Sequence, residues 1–274
     1  MALPEGFLPD ADIPAPLHEA LGEATERLDD ALCLADRVAQ AKRSSSDADA
    51  DADIDAEEMP SATWLALSNV RRAELARVVA LSDFATETLA RDPGWLPVLD
   101  AEGELDESPS RETWEAELAE RLEAAEDEAA MQVAIRRFRR LRMLGIVWRD
   151  LCRAPRGQGD EAGMWGTARD VSSLAEICLD GALGWLEDYY APRWGRPALR
   201  ADGTPQRLVV LGMGKLGAGE LNLSSDIDLI FAFAEEGETQ GGRRALSHQE
   251  YFTKLGQKLI GALDAVTDLS LIHI

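Results

Sequence analysis

Between Leu208 and Phe231 the chain runs Leu-Val-Val-Leu, then Gly212-Met-Gly-Lys-Leu-Gly217, then on through Ser224-Ser-Asp-Ile-Asp-Leu-Ile-Phe231. Short runs of β-formers at the two ends predict strands over 207–211 and 226–231, with a glycine-rich turn after the first. Gly212-x-Gly214-x-x-Gly217 has the form of a dinucleotide fingerprint, but only eight residues separate Gly217 from Asp226. That is too few for the crossover helix such a site requires, and the acids open the second strand instead of following it by a full βαβ unit. The dinucleotide reading is therefore excluded.

The same spacing supports different chemistry. Asp226 and Asp228 are two residues apart on an extended chain, so their carboxylates project from one face, about 5–7 Å apart. Ile227, Leu229 and Phe231 point to the other side, where they can pack on a core. Two carboxylates on a rigid strand suit Mg²⁺, or Mn²⁺, through oxygen ligands. Ions held this way grip phosphate oxygens in an in-line displacement. The glycine turn lets backbone N–H groups approach phosphate, Lys215 supplies a point charge, and Ser224 and Ser225 add hydroxyls beside the first carboxylate.

The remainder reads as helix. Val70, Leu75, Val78, Val79 and Leu81 form one stripe. A long periodic stretch runs from Ser110 to about Cys152, and another from Ala168 to Tyr190. Near Gly195–Pro205 the texture changes to turn residues, which divides the chain into a helical region over 1–200 and an α/β region over 201–274. At the far end Ser247-His-Gln-Glu250 predicts a capping box opening a last helix, with His248 at an exposed first position. None of His18, His248 and His273 stands in a pattern that suggests a ligand.

Charge narrows the function classes. The chain carries 28 Lys and Arg against 51 Asp and Glu, a net charge of −23. Nucleic-acid binding rests heavily on cations facing phosphates, so it is not expected here. Eight arginines within 136–156 are the exception, but twelve acidic residues over 101–130 precede them, and pairing inside a helical bundle accounts for both. The segment over 44–60 is a low-complexity acidic loop without the glycine or glutamate spacing of a calcium-binding hand. Three scattered cysteines form neither a disulfide framework nor a zinc motif, and no signal peptide or membrane-length apolar run is visible. A cytoplasmic protein is expected, without membrane partners.

The run Gly212–Gly217, then Glu220-Leu-Asn222, then Ser224–Phe231, resembles the bifunctional glutamine synthetase adenylyltransferase/adenylyl-removing enzymes. These belong to the DNA polymerase beta-like nucleotidyltransferases. Thr239-Gln-Gly-Gly-Arg-Arg244 and the helix carrying Phe252 and Gly256–Ile260 extend the resemblance, as do Leu81–Phe84, Arg136–Arg140 and Trp148–Leu151 more loosely. It implies an α+β fold in which a mostly helical region precedes a polymerase-beta-like nucleotidyltransferase domain. It also implies the adenylyl-removing half, in which phosphate attacks AMP carried on a glutamine synthetase tyrosine and releases ADP. Asp226 and Asp228 would then hold Mg²⁺, and Gly214, Lys215, Gly217, Ser224 and Ser225 would cradle phosphates. Arg243 and Arg244 are secondary anion contacts. The implied partners are glutamine synthetase, the PII signalling protein, adenine nucleotides (AMP, ADP, ATP) and phosphate.

One departure stands out. The family pattern continues into a strand bearing Arg-x-Asp, whose Asp is a third metal carboxylate, whereas this chain reads Thr267-Asp-Leu-Ser-Leu-Ile-His-Ile274. An incomplete domain with little activity on its own is therefore expected. Two other readings stay open: a nucleotidyltransferase for another acceptor, and a non-catalytic docking module with a vestigial site.

Overall fold

A computed structural model of the chain describes residues 3–10, 13–46, 60–153 and 163–264. The fold is a mostly helical α+β arrangement with two small antiparallel sheets. No helix among the described residues is long and apolar enough to cross a membrane. The chain divides into two compact units, one of Met1–Ser108 with Met143–Gly163, the other of Pro109–Arg142 with Met164–Ile274.

The first unit opens with α1 (His18–Ser46), followed by α2 (Pro60–Leu65), α3 (Asn69–Leu81), α4 (Asp83–Arg91) and α5 (Trp95–Ala101). Serines start two of these helices. Ser68 Oγ accepts from Arg71 N, and Ser82 Oγ from Ala85 N, each at 3.2 Å, so donors left over in the first turn are satisfied. Leu75, Val78 and Val79 are buried as the stripe requires, but Val70 and Leu81 are exposed. Val70 lies about 140° round the helix from Leu75, and Leu81 is the last helical residue. Trp64 is wholly buried, and its Nε1 donates to the Pro93 carbonyl at 2.9 Å. The Arg71 guanidinium binds Glu74 at 2.7 Å and Asp100 at 2.8 Å and also Asp106, tying three segments of the unit to one cation.

The long stretch over 110–152 is not one helix. It is α6 (Arg111–Glu123) and α7 (Glu128–Arg153), because Asp127 Oδ1 accepts from Ala130 N at 2.8 Å and caps a new start. Helix α7 supplies residues to both units. In the second unit its buried Arg142 pairs with Glu117 of α6, the intramolecular use expected for this basic run. The helix over 168–190 extends at both ends to α8 (Met164–Trp194).

The second unit then adds β1 (Arg196–Pro197), β2 (Val209–Gly212), α9 (Gly214–Ala218), β3 (Leu229–Ala232), β4 (Thr239–Gln240) and α10 (His248–Asp264). Strands β2 and β3 pair antiparallel with Leu211 opposite Ile230, and β1 pairs with β4. Helix α10 covers one face of the β2–β3 ribbon, where Phe233 stacks on Phe252 at 5.1 Å between ring centres. On its other side α10 meets α8 through Trp194 and Tyr251, and Lys258 Nζ reaches Glu128 at 2.9 Å.

His248 is buried, 1% exposed, where an exposed residue was expected. Its Nδ1 lies 2.8 Å from the Glu235 carbonyl and its Nε2 3.2 Å from that of Glu238, so the ring ties the loop after β3 to the start of α10. Only half of the predicted capping box forms. Ser247 Oγ accepts from Glu250 N at 3.1 Å, while Glu250 turns its carboxylate to Arg244 and Lys254. Residues 47–59 of the acidic loop, and the ending over 265–274 with His273, lie outside the described residues, and Ser44–Ser46 close α1.

Two outcomes check this packing. A Cβ on Gly237 would fall 2.6 Å from His248 Cε1, so Gly237→Ala is expected to cost about 1–3 kcal/mol in a denaturant titration. Burial pushes the Cys178 thiol up to about 12 and Cys152 is also buried, whereas Cys33 is half-buried. Ellman's reagent should therefore titrate one fast thiol in the native chain and all three after denaturation.

Candidate active site

The site residues gather where β2 turns into α9 and where the chain returns to β3. The second strand begins at Leu229, so Asp226 and Asp228 stand on the extended segment just before it and not within it. The ladder nonetheless reaches Asp228, because Met213 N donates to its carbonyl at 2.8 Å. Exposure alternates as an extended chain demands: Asp226 and Asp228 are exposed and Ile227 is 7% exposed. Both carboxylates thus emerge from one face, with the apolar residue between them anchored inward.

Glycines bring the turn close to this pair. A Cβ on Gly217 would lie 2.4 Å from the Gly212 carbonyl oxygen, so α9 can fold back onto the end of β2 only without a side chain there. Gly217 N donates to the Met213 carbonyl at 3.2 Å, which commits that group within the protein. Gly214 has a left-handed backbone, φ 52°, and its Cα faces Asp228, whose Oδ2 would be 3.7 Å from an added Cβ. The N–H groups of Gly214 and Lys215 open α9 and have no acceptor inside a helix this short. They lie at the turn beside the carboxylates.

Asn222, which sequence reasoning did not single out as a site residue, organises the approach. Its Oδ1 accepts from Ser225 Oγ at 2.7 Å and from Ser224 N at 3.1 Å, and its own N–H donates to Ser225 Oγ at 3.1 Å. Lys215 Nζ donates to the same Ser225 hydroxyl at 3.3 Å. The Ser225 hydroxyl is therefore fully engaged, and it holds the lysine toward the turn. Ser224 is exposed and bonds only to Asn222. One residue earlier, Leu221 N donates to the buried Ser172 Oγ of α8 at 3.2 Å, which fixes the loop to the helical part of its unit. The sequence signals for Asn222 were its place in an Asn-x-Ser-Ser turn and in the Glu220-Leu-Asn222 run that carries the family resemblance. Ser172 gave none, since its role depends on packing.

Among the described residues, Asp226, Asp228 and Lys215 have no ion-pair partner, although the chain is rich in such pairs elsewhere. No group of three or more His, Cys, Asp or Glu side chains among the described residues is placed to hold a metal ion. Two exposed, uncompensated carboxylates fit the way Mg²⁺ is bound, with water and phosphate oxygens filling the other positions. Arg244 is committed to Glu250 at 2.6 Å, and Arg243 sends its backbone N–H to the Arg193 carbonyl. Thr239, which begins the same motif, is structural: its Oγ1 donates to the Trp194 carbonyl at 2.7 Å and accepts from Leu246 N at 3.0 Å.

Residues 72–272 match the family model for glutamate-ammonia ligase adenylyltransferase. The chain belongs to this adenylyltransferase family. It is similar to the bifunctional glutamine synthetase adenylyltransferase/adenylyl-removing enzyme of Pseudomonas aeruginosa, 48% identical over 197 residues, which cover 72% of this chain and 19% of that protein. The proteins of the same name from Pseudomonas putida and Shewanella oneidensis are 43% and 41% identical, over 76% and 73% of this chain and 21% and 20% of theirs. The chain thus spans about a fifth of the length of the relatives it matches. The adenylyltransferase match contains the whole site, from Gly212 to Leu229, whereas α1 and the acidic segment precede it.

Replacing Asn222 by Ala removes the acceptor for three donors in this turn. A loss of about 1–2 kcal/mol in thermal or denaturant unfolding is expected, with faster amide exchange at Ser224.

Proposed function

We propose that this chain carries the adenylyl-removing active-site segment of a glutamine synthetase-regulating enzyme. The observation that supports it most is a pair of uncompensated carboxylates on one face of an extended segment, against a turn that presents free N–H groups and a held lysine. The preference for removal over transfer rests on about 200 largely helical residues ahead of the block and on Thr239–Arg244 after it, both of which resemble that half.

In this reading Asp226 and Asp228 would hold Mg²⁺, or Mn²⁺, which would supply neutralisation of the phosphate charge. The N–H groups of Gly214 and Lys215, the Lys215 ammonium and the Ser224 hydroxyl bind phosphate oxygens. Gly217 and Ser225 support them from behind, and Arg243 is a more distant anion contact. An oxygen of inorganic phosphate attacks the phosphorus of tyrosine-linked AMP. The bond from phosphorus to the tyrosine oxygen breaks, that oxygen takes up a proton, and ADP is released. Glutamine synthetase is the protein substrate, and a PII signalling protein is the regulatory partner in this proposal. With two acidic ligands gathered among the described residues, the isolated chain should turn over slowly at best.

The test is a single-turnover assay with the chain in excess over adenylylated glutamine synthetase, Mg²⁺ and labelled phosphate. Labelled ADP is expected, falling to background in Asp226→Asn and Asp228→Asn. Labelling of unmodified glutamine synthetase by ATP instead would assign the segment to the transfer reaction. Retained binding to glutamine synthetase with neither product would make it a docking module.

A further inference from the structure

The β2–β3 ribbon has two faces, and only one is covered. Val210, Leu229 and Phe231 are partly buried on the side of α10. On the other side Val209, Leu211, Met213 and Ile230 are 40–49% exposed, and Ala232 is exposed beside them. Their register makes this one patch: Leu211 faces Ile230, and Val209 faces Ala232. A solvated face of an antiparallel pair ordinarily carries polar residues. Here the face is apolar until it reaches Asp228 and Asp226, which alternation places on the same side as Ile230.

We propose that this face is the base-binding half of the site, with the planar base of a nucleoside phosphate lying over Leu211 and Ile230. The inference rests on the phosphate-transfer reading above. Three features argue for this occupant. The charged groups at one end, Asp226, Asp228 and Lys215, are those that manage phosphate and its counter-ion. Ile230 is two residues along the strand from Asp228, about 7 Å, a span comparable to the ribose that separates phosphate from base. The surface between is apolar, which suits the face of an aromatic ring and offers nothing to a second phosphate. A base seated there would cover side chains that are otherwise open to water.

Calorimetry on the 274-residue chain in Mg²⁺ tests this, with ADP and pyrophosphate as probes that do and do not carry a base. Leu211→Ser with Ile230→Ser should weaken ADP at least tenfold and pyrophosphate less than twofold, whereas Asp228→Asn should weaken both. Both serines replace exposed side chains, and circular dichroism and melting confirm the fold; Leu211→Met should keep ADP affinity near that of the parent. ADP binding that needs Asp228 but ignores Leu211 and Ile230, or equal weakening of the two probes, overturns the base assignment and leaves the phosphate-transfer reading standing. If the double variant loses O-phosphotyrosine but not ADP, the face serves the tyrosine ring and the base assignment falls. No Mg²⁺-dependent ADP binding by the parent chain would overturn both.

Discussion

The contact between α10 and one face of the β2–β3 ribbon carries the local architecture. Two short strands are at best marginally stable in water, and they persist when a helix covers their apolar side. Phe233 against Phe252 makes that cover, and His248 fastens the loop between ribbon and helix. Helix α10 is braced in turn on α8 through Trp194 and Tyr251, and on α7 through the Lys258–Glu128 pair. Among the described residues the Asp226 and Asp228 carboxylates have no ion-pair partner, so their position is inherited from this chain of contacts and from the Met213–Asp228 backbone bond.

Within the turn, inward and outward duties are divided. Asn222, Ser225 and Gly217 spend their hydrogen-bonding or steric capacity on the protein itself. Asp226, Asp228 and the opening N–H groups of α9 are left unspent. Such a division is what a phosphate-handling site needs: the groups that meet the ligand must be rigid yet unsatisfied, so others have to satisfy the backbone around them.

Much of this was legible in sequence because it follows from period. The carboxylates on one face and Ile227 facing inward are consequences of the two-residue repeat of an extended chain, and the helical stretches over 110–152 and 168–190 follow from the 3.6-residue repeat. The strand boundary was misplaced by three residues, since β-propensity does not reveal where pairing starts. The break between α6 and α7 was missed because apolar spacing continues through it, and only the Asp127 cap ends one helix and begins another. His248 read as exposed because a first helical position usually is. Its burial depends on a loop that returns over it, and the anchoring of Leu221 by Ser172 joins residues 49 apart. Such facts belong to packing and leave no local trace.

The glycine-rich turn has a consequence for flexibility. Gly212, Gly214, Gly217 and Gly219 stand within eight residues, and each frees the disordered chain to sample more backbone states than any other residue would. Ordering the turn therefore costs unusual conformational entropy, which is met locally by the burial of Leu216 on one side and Leu221 on the other. A segment so balanced sits at the low end of local stability in its unit, where a bound ligand shares in the ordering and becomes part of what holds the turn together.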